Sequence, residues 1–214
     1  MSDGHPVPSW LQNIEAQAAQ RMPRFATGSG SGGRASAVLM LFGPRVGGGE
    51  DILLTQRAET LRKHAGQVSF PGGGVDPGDA APRDTALREA NEEVGLSAEG
   101  VYVVGQLPIF PLSVTGFQVT PVVAWWESPS PVVAREAEVA RVARVSVADL
   151  IDPANRFTAV APGRKFAAPA FEVDGLYIWG FTAILLNETL KLAGHAVPWD
   201  ERDERLVPER YRRV

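Results

Sequence analysis

The fold is decided by the stretch Gly72-Gly-Gly-Val-Asp-Pro-Gly-Asp-Ala-Ala-Pro-Arg-Asp-Thr-Ala-Leu-Arg-Glu-Ala-Asn-Glu-Glu-Val-Gly-Leu96. It predicts a glycine-rich loop that leads into a helix over about 80–94, which Gly95 ends in a left-handed conformation. We expect Asp79 to cap that helix. Pro82 then falls in the first turn, where its missing N–H costs nothing.

One face of this predicted helix is acidic. At about 100° per residue, Glu89, Glu92 and Glu93 lie within one sector of roughly that width. Three carboxylates so placed repel one another, and a pair between Arg88 and Glu92 offsets only part of the repulsion. A separate sector would face a sheet, and its members are Leu87, Ala90 and Val94.

Carboxylates on a helix beside backbone carbonyls of a glycine loop suit a hard cation such as Mg²⁺ or Mn²⁺. Such ions bind phosphate oxygens, so the pattern indicates attack of water on phosphorus assisted by a metal ion. Taken alone, an acidic helix face is commonly a solvated surface, and a glycine cluster is commonly a turn. An EF-hand calcium loop at 76–79 is excluded, because its spacing and terminal glutamate are absent.

The composition excludes several other classes of site. The 214 residues contain no cysteine and three histidines, so disulfides, zinc–thiolate sites and cysteine nucleophiles are ruled out. The net charge of −4 does not favour nucleic acid as a partner. No apolar run approaches the roughly 18 residues that span a bilayer, and the first residues do not resemble a signal peptide. We therefore expect a cytoplasmic protein that does not bind membranes.

The pattern of apolar residues predicts a mixed α/β fold. We divide the chain into an N-terminal helix and flexible linker over 1–33, a main domain over 34–196, and a charged, solvated tail over 197–214. Ser9 and Gln12 form a potential capping box for the first helix. The predicted strands are 35–42, 51–57, 101–107, 117–126 and 139–145, with a hairpin over 171–179, a capped helix from Ser146 and a closing helix over 182–193.

Read as a unit, Gly73 to Leu96 resembles the Nudix box, Gly-x5-Glu-x7-Arg-Glu-U-x-Glu-Glu-x-Gly-U, where U is a bulky aliphatic residue. The second half, from Arg88 onward, matches at every charged and glycine position. Two departures are visible. Ala90 replaces a larger aliphatic residue, and the first glutamate is missing: counting from Gly73 places Asp79 there, with one extra residue before Arg88, and counting from Gly74 places Ala80.

The resemblance extends upstream of the box. Leu53-Leu-Thr-Gln-Arg-Ala58, followed by Arg62, Gly66 and Phe70-Pro-Gly-Gly73, is similar to the motif Leu-Leu-Thr-x-Arg-(Ser/Ala)-x3-Arg-x3-Gly-x3-Phe-Pro-Gly-Gly of coenzyme A pyrophosphatases. Every fixed position is present. Later segments also look like that subfamily, so the resemblance covers about 35–193; these segments are 115–123, Glu138-Val139 and 179–183.

This resemblance implies a Nudix-fold α/β/α sandwich with a mixed sheet. The activity it implies is hydrolysis of the diphosphate of coenzyme A and its thioesters, with Mg²⁺ or Mn²⁺, to 3′,5′-ADP and 4′-phosphopantetheine or its acyl form. The partner would be a small-molecule nucleotide, and the protein a monomer or homodimer. Two alternatives stay open: another nucleoside diphosphate derivative as substrate (ADP-ribose, NADH or a dinucleoside polyphosphate), or a catalytically silent Nudix domain that senses a nucleotide.

The resemblance also assigns roles to residues. The implied metal ligands are Glu89, Glu93, Glu92 and the Gly73 carbonyl. The implied catalytic set is Arg88, Glu89, Glu92, Glu93 and Glu138. The implied substrate contacts are Arg57, Arg62, Gly66 and Phe70. The alternative for Arg57 and Arg62 is a salt bridge to Glu59 or another acid. Glu138 is an equally good solvent-facing glutamate. The carboxylate that takes the proton from water stays open.

Overall fold

The computed structural model describes residues 7–22, 33–61, 64–112, 116–135 and 138–212. The predicted linker at 28–32, Arg62 and Thr115 lie outside the described residues. None of the described helices is long and apolar enough to cross a bilayer. The helices are α1 Ile14–Arg21, α2 Pro82–Val94, α3 Val147–Ile151 and α4 Gly180–Leu192. The strands are β1 Arg34–Pro44, β2 Glu50–Arg57, β3 Val68–Ser69, β4 Gly72–Gly74, β5 Val101–Gln106, β6 Phe110–Leu112, β7 Phe117–Trp126, β8 Val139–Ser146, β9 Arg156–Val160, β10 Ala167–Val173, β11 Leu176–Ile178 and β12 Glu204–Leu206.

The chain folds as two compact units, each built from two separate stretches of sequence. The first unit comprises 1–44 and 71–132, and the second comprises 45–70 and 133–214. The Nudix-like box therefore belongs to the first unit. The upstream motif, as far as Phe70, belongs to the second.

The sheet of the first unit is mixed, as predicted. Strand β1 pairs in parallel with β7 and antiparallel with β4, while β7 also pairs antiparallel with β5 and β6. The continuous apolar run in β1 is buried along most of its length, as is typical of a strand covered on both faces.

Helix α2 packs on this sheet through small residues. Ala86, Ala90 and Val94 are fully buried because a spacing of four residues returns each to the same face. Thr85 is buried as well, whereas Leu87 is only half-buried, so the buried stripe is displaced from the predicted one. Gly95 ends the helix with φ 70°, as predicted.

The predicted capping of two helices is wrong. Helix α2 begins after Ala81 with no side-chain cap, because the Asp79 carboxylate accepts other hydrogen bonds that are described below. Helix α1 begins after Asn13 rather than at Ser9, and Gln12 instead donates its side-chain amide to the Val7 carbonyl at 2.9 Å.

The segment that carries α1 is part of the core of the first unit. Leu11, Ile14 and Ala18 are fully buried. The helix approaches β5 closely: a Cβ on Gly105 would lie 2.8 Å from Cβ of Glu15. Only glycine at position 105 accommodates this approach.

The second unit contains two groups of strands. Strand β2 pairs antiparallel with β8 and with β3, and a separate sheet has the order β11-β10-β9-β12. Two local predictions are confirmed here. The Ser146 hydroxyl caps α3 by accepting from Asp149 N–H at 3.3 Å, and β10 and β11 form a hairpin that turns at Asp174 and Gly175.

The prediction of a solvated C-terminal tail is wrong for Val207 and Tyr211, whereas Glu204–Leu206 are exposed, as predicted. Strand β12 pairs in parallel with β9, and Val207 and Tyr211 are buried. These apolar side chains pack into a cluster with Phe157 and Tyr177. Burial of apolar surface therefore outweighs the solvation of the neighbouring charges.

Candidate metal and pyrophosphate site

Position 72 of β4 faces β1 at a place where only glycine fits. A Cβ on Gly72 would lie 2.7 Å from Cα of Val38 and would overlap the Ala37 carbonyl. No side chain fits at that position without moving the main chain. Because β4 consists of glycines, it presents only backbone atoms to α2.

Two glutamates of α2 lie against the backbone of β4. A Cβ built on Gly73 would lie 2.5 Å from Cδ and 2.7 Å from Oε2 of Glu89, so the Glu89 carboxylate is directly above Gly73. Glu93 lies one helical turn further on, and its Oε2 accepts from the Gly72 N–H at 3.3 Å. The sequence placed both carboxylates on one helix face, and the structure places that face on β4.

Arg88 ties the loop to the helix. Its guanidinium donates to Glu89 Oε1 at 3.2 Å and to Glu92 Oε2 at 3.1 Å. It also donates to the Gly74 carbonyl at 2.9 Å. Glu92 is the outermost of the three glutamates, with a side chain that is 48% exposed. Arg88 therefore orients carboxylates and contacts the loop backbone.

Asp79 is the main partner of Arg88. The guanidinium donates from Nε to Oδ1 at 3.2 Å and from NH2 to Oδ2 at 3.0 Å. The same carboxylate accepts from Asp76 N–H and from the Thr85 hydroxyl, both at 2.9 Å. Hydrogen bonds from Arg88 and from the Asp76 N–H hold the pKa of Asp79 well below its usual range. The same hydrogen bonds, which Arg88 donates to Asp79, raise the pKa of Arg88.

Asp79 therefore does not cap the helix but anchors Arg88, which in turn bonds to Glu89 and Glu92. The sequence offered one sign of this role, because Asp79 occupies the position of the box's first glutamate when residues are counted from Gly73. The capping interpretation competed with it, since Asp before a helix commonly caps.

The lowered pKa of Asp79 predicts how Asp79→Asn changes stability with pH. A carboxyl whose folded pKa lies below its unfolded value of 3.8 stabilises the fold above that value and loses this contribution as the pH falls further. We expect Asp79→Asn to lower the melting temperature at pH 7, and the difference from wild type to begin to shrink below about pH 5 and to keep shrinking as the pH falls below about 3. Calorimetry across this range is the test. A melting-temperature difference that stays constant with pH would contradict the assignment.

The donor set of this site fits a hard divalent cation. Glu89 and Glu93 offer carboxylate oxygens beside the carbonyl-bearing backbone of Gly73, and oxygen is the ligand atom that Mg²⁺ and Mn²⁺ prefer. Among the residues that the structure describes, no three acidic or histidine side chains already converge on one point. The fit thus rests on two carboxylates and main-chain oxygen, with the exposed Glu92 further out.

Two further candidates, Arg57 and Glu138, meet in the second unit. The Arg57 guanidinium donates to Glu138 Oε2 at 2.8 Å. The Glu138 carbonyl also accepts from Ala58 N–H at 2.7 Å. Of the two interpretations of Arg57, phosphate contact or salt bridge, the structure displays the salt bridge, with Glu138 rather than Glu59 as the acid. Both side chains remain partly exposed, at 31% and 55%.

Two other predicted substrate contacts, Phe70 and Gly66, are interior positions. Phe70 is only 3% exposed, so its ring offers a ligand little surface. Gly66 has φ 68°, and a Cβ there would lie 3.3 Å from Cε1 of Tyr211. These two residues therefore shape the segment that follows Arg57, while Arg57 presents the charge.

Comparison with known proteins identifies the family. The family model described as the NUDIX domain matches residues 33–168. The chain is similar to an uncharacterized Nudix hydrolase NudL of Cronobacter sakazakii, with 52% identity over 143 residues, which cover 64% of this chain and 72% of that protein. It is also 43% identical over 139 residues, with the same coverage, to an uncharacterized Nudix hydrolase NudL of Salmonella paratyphi B.

A solved structure has a similar fold. A Nudix hydrolase from Nitrosomonas europaea is similar over 83% of this chain and 80% of its own, with a TM-score of 0.51 and 11% identity, which speaks for the fold alone. The Nudix hydrolase RenU of M. smegmatis is 30% identical over 54% of this chain and 74% of its own, with a TM-score of 0.46. With its α/β fold, mixed sheet and matched domain, this chain belongs to the Nudix family of hydrolases.

Proposed function

We propose that this Nudix hydrolase cleaves the diphosphate of coenzyme A and its thioesters. The observation that carries the proposal is the motif from Leu53 to Gly73, in which every fixed position of the coenzyme A pyrophosphatase pattern is present and runs directly into the box. The box supports the reaction class. The upstream motif supports the choice of substrate.

The proposed reaction is a hydrolysis in which water attacks one phosphorus of the anhydride. A new P–O bond forms to the water oxygen, the bridging P–O bond breaks, and the bridging oxygen leaves with the other phosphate. The water protons pass to a carboxylate and to solvent. The products are 3′,5′-ADP and 4′-phosphopantetheine, or acyl-phosphopantetheine from a thioester.

The chain's own residues divide this work between them. Glu89, Glu93 and the Gly73 carbonyl would hold Mg²⁺ or Mn²⁺, which supplies charge neutralisation and a more acidic water. Arg88, fixed by Asp79, keeps the Glu89 carboxylate in place above Gly73. Glu92, the most exposed of the three, is the outermost candidate ligand.

Arg57 provides the binding of substrate in this proposal. A guanidinium makes bidentate, charge-assisted hydrogen bonds with phosphate oxygens, and Arg57 stands in the motif that accompanies the box. Its present partner, Glu138, is half exposed, so a phosphate group would exchange one anionic partner for another. Glu138 is also a candidate general base, released when Arg57 turns to the substrate.

Replacing Arg57 tests the choice of substrate. We expect Arg57→Ala to raise KM for coenzyme A by about 10- to 100-fold, the value of one or two charge-assisted bonds, with a smaller effect on ADP-ribose. Steady-state kinetics with both substrates provides the measurement. Arg141→Ala is the matched control. Arg141 is an exposed arginine on β8, the strand that pairs with β2, and it donates to the Asp174 carbonyl. Equal losses on both substrates would remove the specificity role.

Product analysis tests the proposed function as a whole. The purified protein is incubated separately with coenzyme A, ADP-ribose and NADH, with Mg²⁺ or Mn²⁺, in ¹⁸O water, and the products are identified by mass spectrometry. We expect 3′,5′-ADP and 4′-phosphopantetheine, with ¹⁸O in one of them to mark the phosphorus attacked. Cleavage of only the other two substrates would overturn the coenzyme A assignment. No cleavage of any would support a nucleotide-sensing domain.

A further inference from the structure

Gln67 links the C-terminal turn to the segment that follows Arg57. Its main-chain carbonyl accepts from Arg57 N–H at 2.9 Å. Its side-chain Nε2 donates to the Tyr211 carbonyl at 3.0 Å, and its Oε1 lies 3.1 Å from Nδ1 of His64. One residue therefore contacts the end of β2, the middle of the β2–β3 connection and the end of the described chain.

These bonds determine which ring nitrogen of a neutral His64 carries the proton. A main-chain carbonyl only accepts, so the amide nitrogen of Gln67 must face Tyr211 and the amide oxygen must face His64. That oxygen also only accepts, so Nδ1 of the neutral imidazole carries the proton and Nε2 keeps its lone pair. Among the described residues, Nε2 of His64 has no hydrogen-bond partner.

The main chain at His64 is also held in an unusual conformation. His64 has φ 55°, in the left-handed region that side chains other than glycine rarely adopt. Strain of this kind persists where the surroundings impose it, and it is frequent at ligand sites. Two contacts with Gln67 accompany this conformation: its side chain bonds to the imidazole, and its N–H donates to the His64 carbonyl at 3.1 Å.

Tyr211 is a rigid anchor for this arrangement. It is only 4% exposed, and its ring stacks on Tyr177 with centroids 5.2 Å apart and an interplanar angle of 8°. Gly66 lies against the same ring, because a Cβ there would approach Cε1 to 3.3 Å. The turn at Glu209–Tyr211 therefore supports the β2–β3 connection from outside the residues that match the Nudix domain.

We propose that Gln67 and Tyr211 are positioning residues of the substrate-binding segment. Tyr211 holds the Gln67 side chain, which in turn holds His64 with Nε2 available to accept a hydrogen bond from a hydroxyl or amide N–H of the substrate. This inference rests on the proposed function, because it takes the segment after Arg57 as the part that meets the substrate.

The tautomer of His64 is measured without substrate. We expect ¹⁵N NMR of the full chain to show Nδ1 protonated in wild type, and Gln67→Leu to shift the proton to Nε2, the form that free imidazole side chains favour. Glu209→Gln, which alters an exposed side chain of the same turn, should leave the wild-type tautomer. A wild-type His64 protonated on Nε2, or a tautomer that Gln67→Leu leaves unchanged, would overturn the inference.

Kinetics separates positioning from general support of the fold. We expect Gln67→Leu and Tyr211→Ala to raise KM about tenfold with kcat within about twofold of wild type. Tyr211→Phe should keep the wild-type KM, because it retains the ring on Gly66 and the carbonyl that accepts from Gln67. An unchanged KM in Gln67→Leu would overturn the positioning role, and this variant suffices if Tyr211→Ala does not fold.

The two proposals fail in different ways. KM is measured with whichever nucleoside diphosphate derivative wild type hydrolyses fastest. A protein that cleaves ADP-ribose but not coenzyme A would overturn the proposed function, while the shifted tautomer and raised KM of Gln67→Leu would still support the inference.

Discussion

Glu93→Gln is expected to lower turnover by at least about 100-fold while the protein remains folded. Loss of a residue that only hydrogen-bonds to a metal ligand already costs about 10- to 100-fold in metal affinity or activity. Loss of a carboxylate that binds the metal directly is expected to cost more. The substitution removes the charge but keeps the shape, and the amide oxygen can still accept from the Gly72 N–H, which bonds to Glu93 Oε2 at 3.3 Å.

The measurement combines turnover with the concentration of Mg²⁺ or Mn²⁺ that gives half of the maximal rate. Glu93→Gln should change both, and Glu92→Gln should change them less, since Glu92 is 48% exposed. Glu99→Gln serves as the control, because Glu99 is an exposed glutamate beyond the end of α2. Wild-type turnover by Glu93→Gln would contradict the proposal that Glu93 binds the metal ion.

Gly73→Ala is expected to lower turnover by about 100-fold through a single added methyl group. The new Cβ would lie 2.5 Å from Cδ of Glu89, which is closer than real Cβ contacts, so the carboxylate must move. A displacement of about 1 Å at a catalytic constellation commonly costs about 10²-fold. The main-chain carbonyl at position 73 survives the change, so we expect the loss to report the displacement of the Glu89 carboxylate.

Gly74→Ala is the matched control for this prediction. A Cβ on Gly74 meets nothing within 4 Å, and the carbonyl that accepts from Arg88 remains. Its turnover should stay within about twofold of wild type, as for an ordinary exposed substitution. If both alanine variants lost activity equally, the effect would belong to backbone stiffness and not to contact with Glu89.

The local elements of the box were predictable because their signals are local. Pro82 and Gly95 mark the ends of α2 by the conformations they permit. The facing of Glu89 and Glu93 follows from helical periodicity alone. Strand β1 followed from a continuous apolar run. For each of these, the residues that decide the structure lie within a few positions of one another.

What the sequence did not predict depends on contacts between distant residues. Asp79 was expected to cap α2, because no local pattern reveals that Arg88 takes its carboxylate. The tail was expected to be solvated, because its charges outnumber Val207 and Tyr211, yet those two find a cluster formed by Phe157 and Tyr177. The pairing of Arg57 with Glu138 joins residues 81 positions apart, which neither neighbourhood indicates.

The interleaving of the two units has a consequence for synthesis on the ribosome. The first unit is complete once residue 132 has emerged, so the Glu89–Gly73 arrangement forms from chain already available. Residues 45–70, which carry Arg57, must wait for β8 and for the C-terminal turn at Tyr211 before their partners exist. We therefore expect the proposed metal-binding residues to be able to come together earlier in translation than the segment proposed to choose the substrate.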